Sequence, residues 1–122
     1  MTEQIKILLA DDEPDITDPL KEHLFIEGYD VKTVYDGEEA ISSFFKDKYD
    51  LIILDLYMPK IDGFEVLRKI KSDSPSTKII ILSGHTFPEN LKKCKSLGAE
   101  IILPKPSSIK EILDAIHELT ER

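Results

Sequence analysis

Leu51-Ile-Ile-Leu54 is a run of aliphatic residues set between two aspartates, Asp50 and Asp55. A run that short and that uniformly apolar suits a strand buried on both faces, as in a parallel sheet covered by helices. Ile5–Ala10, broken by Lys6, and Ile79–Leu82 share its character. Strand-length apolar segments recur at 5–10, 30–35, 50–55, 78–83 and 100–103. Val31-Lys-Thr-Val-Tyr35 is more polar than the others and reads as an edge strand.

Helical spacing fills the intervals. Ile16, Leu20 and Leu24 fall on one face, as do Ala40, Ile41, Phe44 and Phe45. Leu91, Cys94 and Leu97 make a third stripe, and Ile109, Ile112, Leu113 and Ile116 a fourth. Capping boxes are readable at Asp36 with Glu39, Asp62 with Glu65, Thr86 with Glu89 and Ser108 with Glu111. Gly28 and Gly98 suit helix stops. The first helix has two candidate starts, at Pro14 or at Pro19, because a proline inside a helix removes a hydrogen bond. Strand–helix alternation with right-handed crossovers predicts a three-layer α/β sandwich of five β-α units. Ligands in such sheets sit beyond the carboxyl ends of the strands.

The chain of 122 residues suits one domain with one core, and nothing in it reads as a linker, repeat or low-complexity tract. A net charge of −8 disfavours direct nucleic-acid binding and an anionic membrane surface. The single cysteine, Cys94, rules out an internal disulfide and a cysteine-rich metal site. It is expected in a helix core, and the Phe44-Phe45 pair is likewise expected in the core. His23 and His117 are expected on helix surfaces. No stretch reads as a signal peptide or a membrane span, so a cytoplasmic protein is expected.

Chemistry gathers at the strand ends. Asp11 and Asp12, then Glu13, follow the first strand; Asp55 follows the third; Ser83, with Gly84 and His85, closes the fourth; Lys105 and Pro106 follow the fifth. In a parallel sheet these meet at one edge. Carboxylates with a hydroxyl and an ammonium suit a hard divalent cation together with a phosphoryl group. There is no Gly-rich phosphate loop and no nucleophile elbow around Ser83. The remaining candidate nucleophile is a carboxylate, which can form an aspartyl phosphate.

In this order and spacing, Asp11-Asp12, Asp55 within Asp-Leu-Tyr-Met-Pro-Lys-Ile-Asp-Gly, Ser83, Gly98-Ala99 and Lys105-Pro106 resemble the receiver domain of bacterial-type two-component response regulators. The resemblance covers essentially the whole chain. It implies one receiver domain over 1–122, with no output domain in this chain, and a flavodoxin-like parallel sheet of order 2-1-3-4-5 with five helices. It implies that Asp55 accepts a phosphoryl group from a histidine kinase or a histidine phosphotransfer protein. Asp11, Asp12, Asp55 and the backbone carbonyl of Tyr57 would hold Mg²⁺, with Mn²⁺ or Ca²⁺ able to take its place. Lys105 would pair with Asp55 and then with the phosphate, and Ser83 would bond a phosphoryl oxygen. A cis peptide is implied at Lys105-Pro106.

Phosphorylation would switch the face of helix four, strand five and helix five, and so control a downstream target or a fused output domain. A monomer or a phosphorylation-dependent dimer would fit. Such a chain assists its own phosphorylation and dephosphorylation and is otherwise no enzyme. Two alternatives remain: a small Mg²⁺-dependent phosphatase with an aspartyl-phosphate intermediate, and a docking module that is not phosphorylated. Tyr57 stands where such a phosphatase usually needs a general acid–base, and no insertion forms a cap over the substrate.

The chain departs from the family pattern in three places. Ile102 stands where an aromatic switch residue is usual, Ser107 where Phe is frequent, and Pro104 stiffens the loop before Lys105. The expectation is a switch that leans on Ser83 and helix four instead of an aromatic rotor. Tyr57 and His85, each two residues past a key position, are expected to slow phosphate loss by their bulk.

Overall fold

A computed structural model describes residues 4–120. Five strands alternate with five helices: β1 (Lys6–Ala10), α1 (Pro14–Ile26), β2 (Asp30–Val34), α2 (Gly37–Lys46), β3 (Leu51–Leu54), α3 (Gly63–Asp73), β4 (Lys78–Ser83), α4 (Pro88–Ser96), β5 (Ile101–Pro104) and α5 (Ile109–Thr120). The strands form one sheet of order β2-β1-β3-β4-β5, every pair parallel. Ala10 lies level with Leu54, and Leu54 with Ile81. The acids that follow β1 and β3 therefore leave the sheet side by side.

Alternation along each strand sends side chains to two cores. Leu8, Ile52, Leu54, Ile79 and Ile81 face a layer of α2, α3 and α4, where Ala40, Val66, Leu67, Ile70 and Cys94 meet them. Ile7, Leu9, Ile53, Ile80 and Leu82 face α1 and α5, where Leu20, Leu24, Ile112 and Ile116 meet them. Each fully buried aliphatic side chain contributes about 1.5–3 kcal/mol through removal from water. The polar reading of β2 follows from its place at the sheet edge.

Most helix ends follow their local residues. Asp36 accepts the Glu39 N–H at 2.8 Å, and Asp62 accepts the Glu65 N–H at 3.0 Å. Ser108 and Glu111 form a full reciprocal box, with bonds of 2.9 and 3.1 Å. Gly28 and Gly98 end α1 and α4 with φ of 98° and 104°, the left-handed conformation that glycine adopts without steric cost.

Three expectations are corrected or decided. Helix α1 starts at Pro14 and carries Pro19 inside it. Asp15 and Pro19 both lie on the exposed side, where water can take up the carbonyl deprived of its donor. Thr86 caps nothing: the N-cap of α4 is Phe87, with no side-chain hydrogen bond. Pro88 opens the helix and holds the residue before it extended, which moves the start one residue past Thr86. Phe44 is buried, whereas Phe45 is 47% exposed, its ring set edge-on to Phe44 at 5.2 Å. His23 and His117 are exposed, and Cys94 is buried.

Candidate functional site

The carboxyl ends of β1, β3, β4 and β5 converge on one acidic cleft. Backbone bonds fix its rim: the Asp55 N–H donates to Ala10 O at 2.9 Å, and the Lys105 N–H donates to Ser83 O at 2.9 Å. Asp11 and Asp55 are buried, while Asp12 and Glu13 are exposed. One carboxylate oxygen from each of these residues lies within 4.8 Å of the others. Asp55 Oδ1 accepts the Leu56 N–H at 2.8 Å, and Asp11 Oδ1 accepts the Glu13 N–H at 3.0 Å.

Lys105 enters this cluster as its counter-ion. Its Nζ lies 2.6 Å from Asp11 Oδ2, 3.1 Å from Glu13 Oε1 and 3.3 Å from Asp55 Oδ2. Burial acts against the ammonium, but the hydrogen bond to Asp11 and the charges of Asp55 and Asp11 outweigh it, so the lysine is held charged beyond its usual range. Burial raises the Asp11 carboxyl above its ordinary value; Lys105 opposes that rise, and the charge of Asp55 adds to it. Asp11, Glu13 and Asp55 thus share one ammonium, Asp12 adds a fourth acid to the cluster, and the surplus of negative charge and hard oxygen donors suits a divalent cation such as Mg²⁺. The Lys105-Pro106 bond is cis.

Ser83 is fully buried at the end of β4, its Oγ accepting the His85 N–H at 3.1 Å. Tyr57 is 44% exposed. Its ring stands edge-on to His85 at 4.2 Å and to Phe64 at 6.2 Å. Ile102 is half-buried, on the side of the sheet covered by α2, α3 and α4.

Chain matching identifies the architecture with a known family. A family model described as the response regulator receiver domain matches residues 7–117. The chain belongs to the response regulator receiver family. This receiver is 33% identical over 122 residues to the transcriptional regulatory protein RprY of Bacteroides fragilis, covering 100% of this chain and 52% of that protein. It is 34% identical over 118 residues to the transcriptional regulatory protein TrcR of Mycobacterium tuberculosis, covering 97% of this chain and 46% of that protein. The receiver therefore spans about half the length of these curated relatives. Among solved structures, a CheY-like response regulator receiver domain protein of Methanospirillum hungatei superposes with a TM-score of 0.94 at 29% identity, covering 98% of this chain and 96% of that one. The receiver domain of the Francisella response regulator 1452 gives 0.89 at 32% identity, covering 95% and 96%.

Reading the sequence missed two kinds of residue in this receiver. The first is the pair of glycines at helix starts, Gly37 and Gly63. A Cβ on Gly63 would lie 2.1 Å from Asp55 O, because α3 begins directly against the backbone after β3. A Cβ on Gly37 would lie 1.8 Å from Ile61 O. The second kind is Asn90 of α4, whose side-chain amide donates to His85 O at 2.9 Å and to Tyr57 Oη at 3.2 Å. No local pattern marks it, since its Tyr57 partner is 33 residues away.

Proposed function

We propose that this receiver of a two-component system is switched by phosphorylation of Asp55. The observation that carries the reading is the placement of Lys105 Nζ between Asp11 and Asp55 in a cleft of surplus negative charge. The donor is a phosphohistidine on a histidine kinase or a histidine phosphotransfer protein. An Asp55 carboxylate oxygen attacks the phosphorus, the O–P bond forms, the P–N bond breaks, and the histidine nitrogen leaves with the bonding pair and takes up a proton.

Asp11, Asp12, Asp55 and the Tyr57 backbone carbonyl are the ligands proposed for Mg²⁺, for which Mn²⁺ or Ca²⁺ can substitute. Bound there, the ion supplies charge neutralisation and orientation for the transferring group. Lys105 is already held charged beside Asp55, so it can follow the new phosphate without a change of protonation. Ser83 Oγ accepts from His85 and keeps its own hydroxyl proton for a phosphoryl oxygen. The rings of Tyr57 and His85, packed against each other, narrow the approach of water and slow hydrolysis. The chain assists its own phosphorylation and dephosphorylation and turns over no other substrate.

The output is binding at the face of α4, β5 and α5, read by a separate target or by a fused output domain. Relatives about twice this length, named as transcriptional regulators, favour the fused arrangement. No described helix is long and apolar enough to cross a membrane, and the cytoplasm is the proposed setting.

Incubation with acetyl phosphate and Mg²⁺, followed by intact mass, tests the assignment. The expected result is one phosphoryl adduct that is absent in Asp55→Asn. An adduct that persists in Asp55→Asn, or no adduct at saturation, overturns it.

A further inference from the structure

Helix α4 is fastened at its start from within its first turn. Its N-cap residue, Phe87, makes no side-chain cap bond, and Asn90 in the first turn takes over the work of fastening it. Asn90 is only 9% exposed, and its amide nitrogen serves two loops at once. It donates to His85 O in the β4–α4 loop at 2.9 Å and to Tyr57 Oη in the β3–α3 loop at 3.2 Å. The same two loops follow directly on Ser83 and on Asp55. His85 donates its N–H to Ser83 Oγ at 3.1 Å, and Tyr57 lies two residues beyond Asp55. A second tie joins α4 to the β3–α3 side, where Lys93 Nζ stands 4.3 Å over the Phe64 ring.

We propose that Asn90 is the positioning residue that couples Ser83 to α4. A continuous path of hydrogen bonds runs from Ser83 Oγ through the backbone of His85 to the Asn90 amide, and on to Tyr57. Drawing Ser83 toward a phosphoryl group lengthens or breaks its bond to the His85 N–H. The His85 N–H and C=O lie in adjacent peptide planes joined at the His85 Cα, so a shift of the first reaches the second through that residue's φ and ψ, and the buried amide that depends on the carbonyl must follow or lose a partner. Losing a buried partner is costly, so the helix moves with it. Coupling of this kind needs no aromatic residue in β5, where this chain has Ile102. The inference rests on the phosphorylation of Asp55 proposed above, and the test separates the two.

The uniformly ¹⁵N-labelled chain is treated with acetyl phosphate and Mg²⁺, with intact mass and amide resonances recorded on the same sample. The expected result is an adduct accompanied by displacement of both the Asn90 side-chain amide resonances and the α4 backbone amides. In Asn90→Ala the adduct should still form, while the α4 displacement falls to less than half. The wild-type Asn90 side-chain signal needs no variant and decides the matter even if Asn90→Ala fails to fold. An adduct with unmoved Asn90 side-chain resonances, or full α4 displacement in Asn90→Ala, overturns the coupling alone. A chain that never gains phosphoryl mass overturns the Asp55 assignment and the coupling with it.

Discussion

Lys105 Nζ approaches Asp11 Oδ2 at 2.6 Å, closer than the 3.3 Å that separates it from Asp55 Oδ2. The lysine is therefore shared, and its nearest partner is not the proposed nucleophile. Lys105→Met should leave Asp11 and Asp55 facing each other in a buried setting without a cation. The expected loss is about 3–5 kcal/mol of unfolding free energy in chelator, in line with removal of one partner from a buried pair. Urea unfolding with and without Mg²⁺ checks this. Added Mg²⁺ should restore more stability to the variant than it adds to the wild type.

Divalent cation binding should raise the thermal midpoint of the wild type, because a ligand that binds the folded state stabilises it by mass action. Asp12 is exposed, yet contributes an oxygen to the cluster. Asp12→Ala should therefore keep the metal-free midpoint and lose most of the Mg²⁺-dependent rise. A titration followed by thermal melting reads both quantities.

Gly63 and Gly28 differ in what a methyl group would meet. At Gly63 it would sit 2.1 Å from Asp55 O and 2.6 Å from Leu56 Cα. Backbone cannot yield as a side chain tip does, so Gly63→Ala should cost about 3 kcal/mol, the upper end for overpacked sites. It should also slow acetyl phosphate labelling by displacing Asp55. Gly28 has nothing among the described residues within 4 Å of the added Cβ but a φ of +98°. Gly28→Ala should cost about 1 kcal/mol from backbone conformation alone and leave labelling unchanged.

The Thr17 hydroxyl is fully buried on α1 and has no hydrogen-bond partner among the described residues. Thr17→Val keeps the shape and removes the unsatisfied group. Differential scanning calorimetry should show stabilisation of about 1 kcal/mol.

Glu111 gives a pH signature. Its carboxylate accepts the Ser108 backbone N–H, which lowers its pKa from the ordinary glutamate value, with the Ser108 side chain adding to the effect. A lowered folded pKa means stability that is present above the unfolded value and lost as pH falls through the folded one. The melting midpoints of wild type and Glu111→Gln should differ most above about pH 5 and converge in more acidic buffer.

Much of this architecture was legible because two signals agreed. Leu51–Leu54 and Ile79–Leu82 are apolar on both faces, as only central strands of a covered parallel sheet need to be. Acids and a lysine just beyond such strands had to meet once the strands were parallel, and Asp11, Asp12, Asp55 and Lys105 do meet. What escaped notice depends on distant partners. Gly63 looks like cap chemistry until α3 is seen against the Asp55 carbonyl. Asn90 looks like an ordinary helix residue until Tyr57 and His85 arrive from two other loops. The Thr86 capping box failed for a local reason: Pro88 was a stronger start signal one residue on. Phe45 was assigned inward with Phe44, but α2 turns Phe44 into the core and leaves Phe45, about 100° further round, at the margin of the apolar stripe and 47% exposed.

Helix α4 buries Asn90 and Cys94, whereas α3 buries Gly63, Val66, Leu67 and Ile70. Among the described helices α4 buries the fewest apolar residues, and it has no N-terminal side-chain cap, both of which favour its local opening. Its amides should exchange with deuterated solvent well before those of β1 and β3. The receiver is in this sense two materials in one chain: a stiff sheet that holds the chemistry, and a loosely fastened helix whose order depends on the state of the loops beneath it.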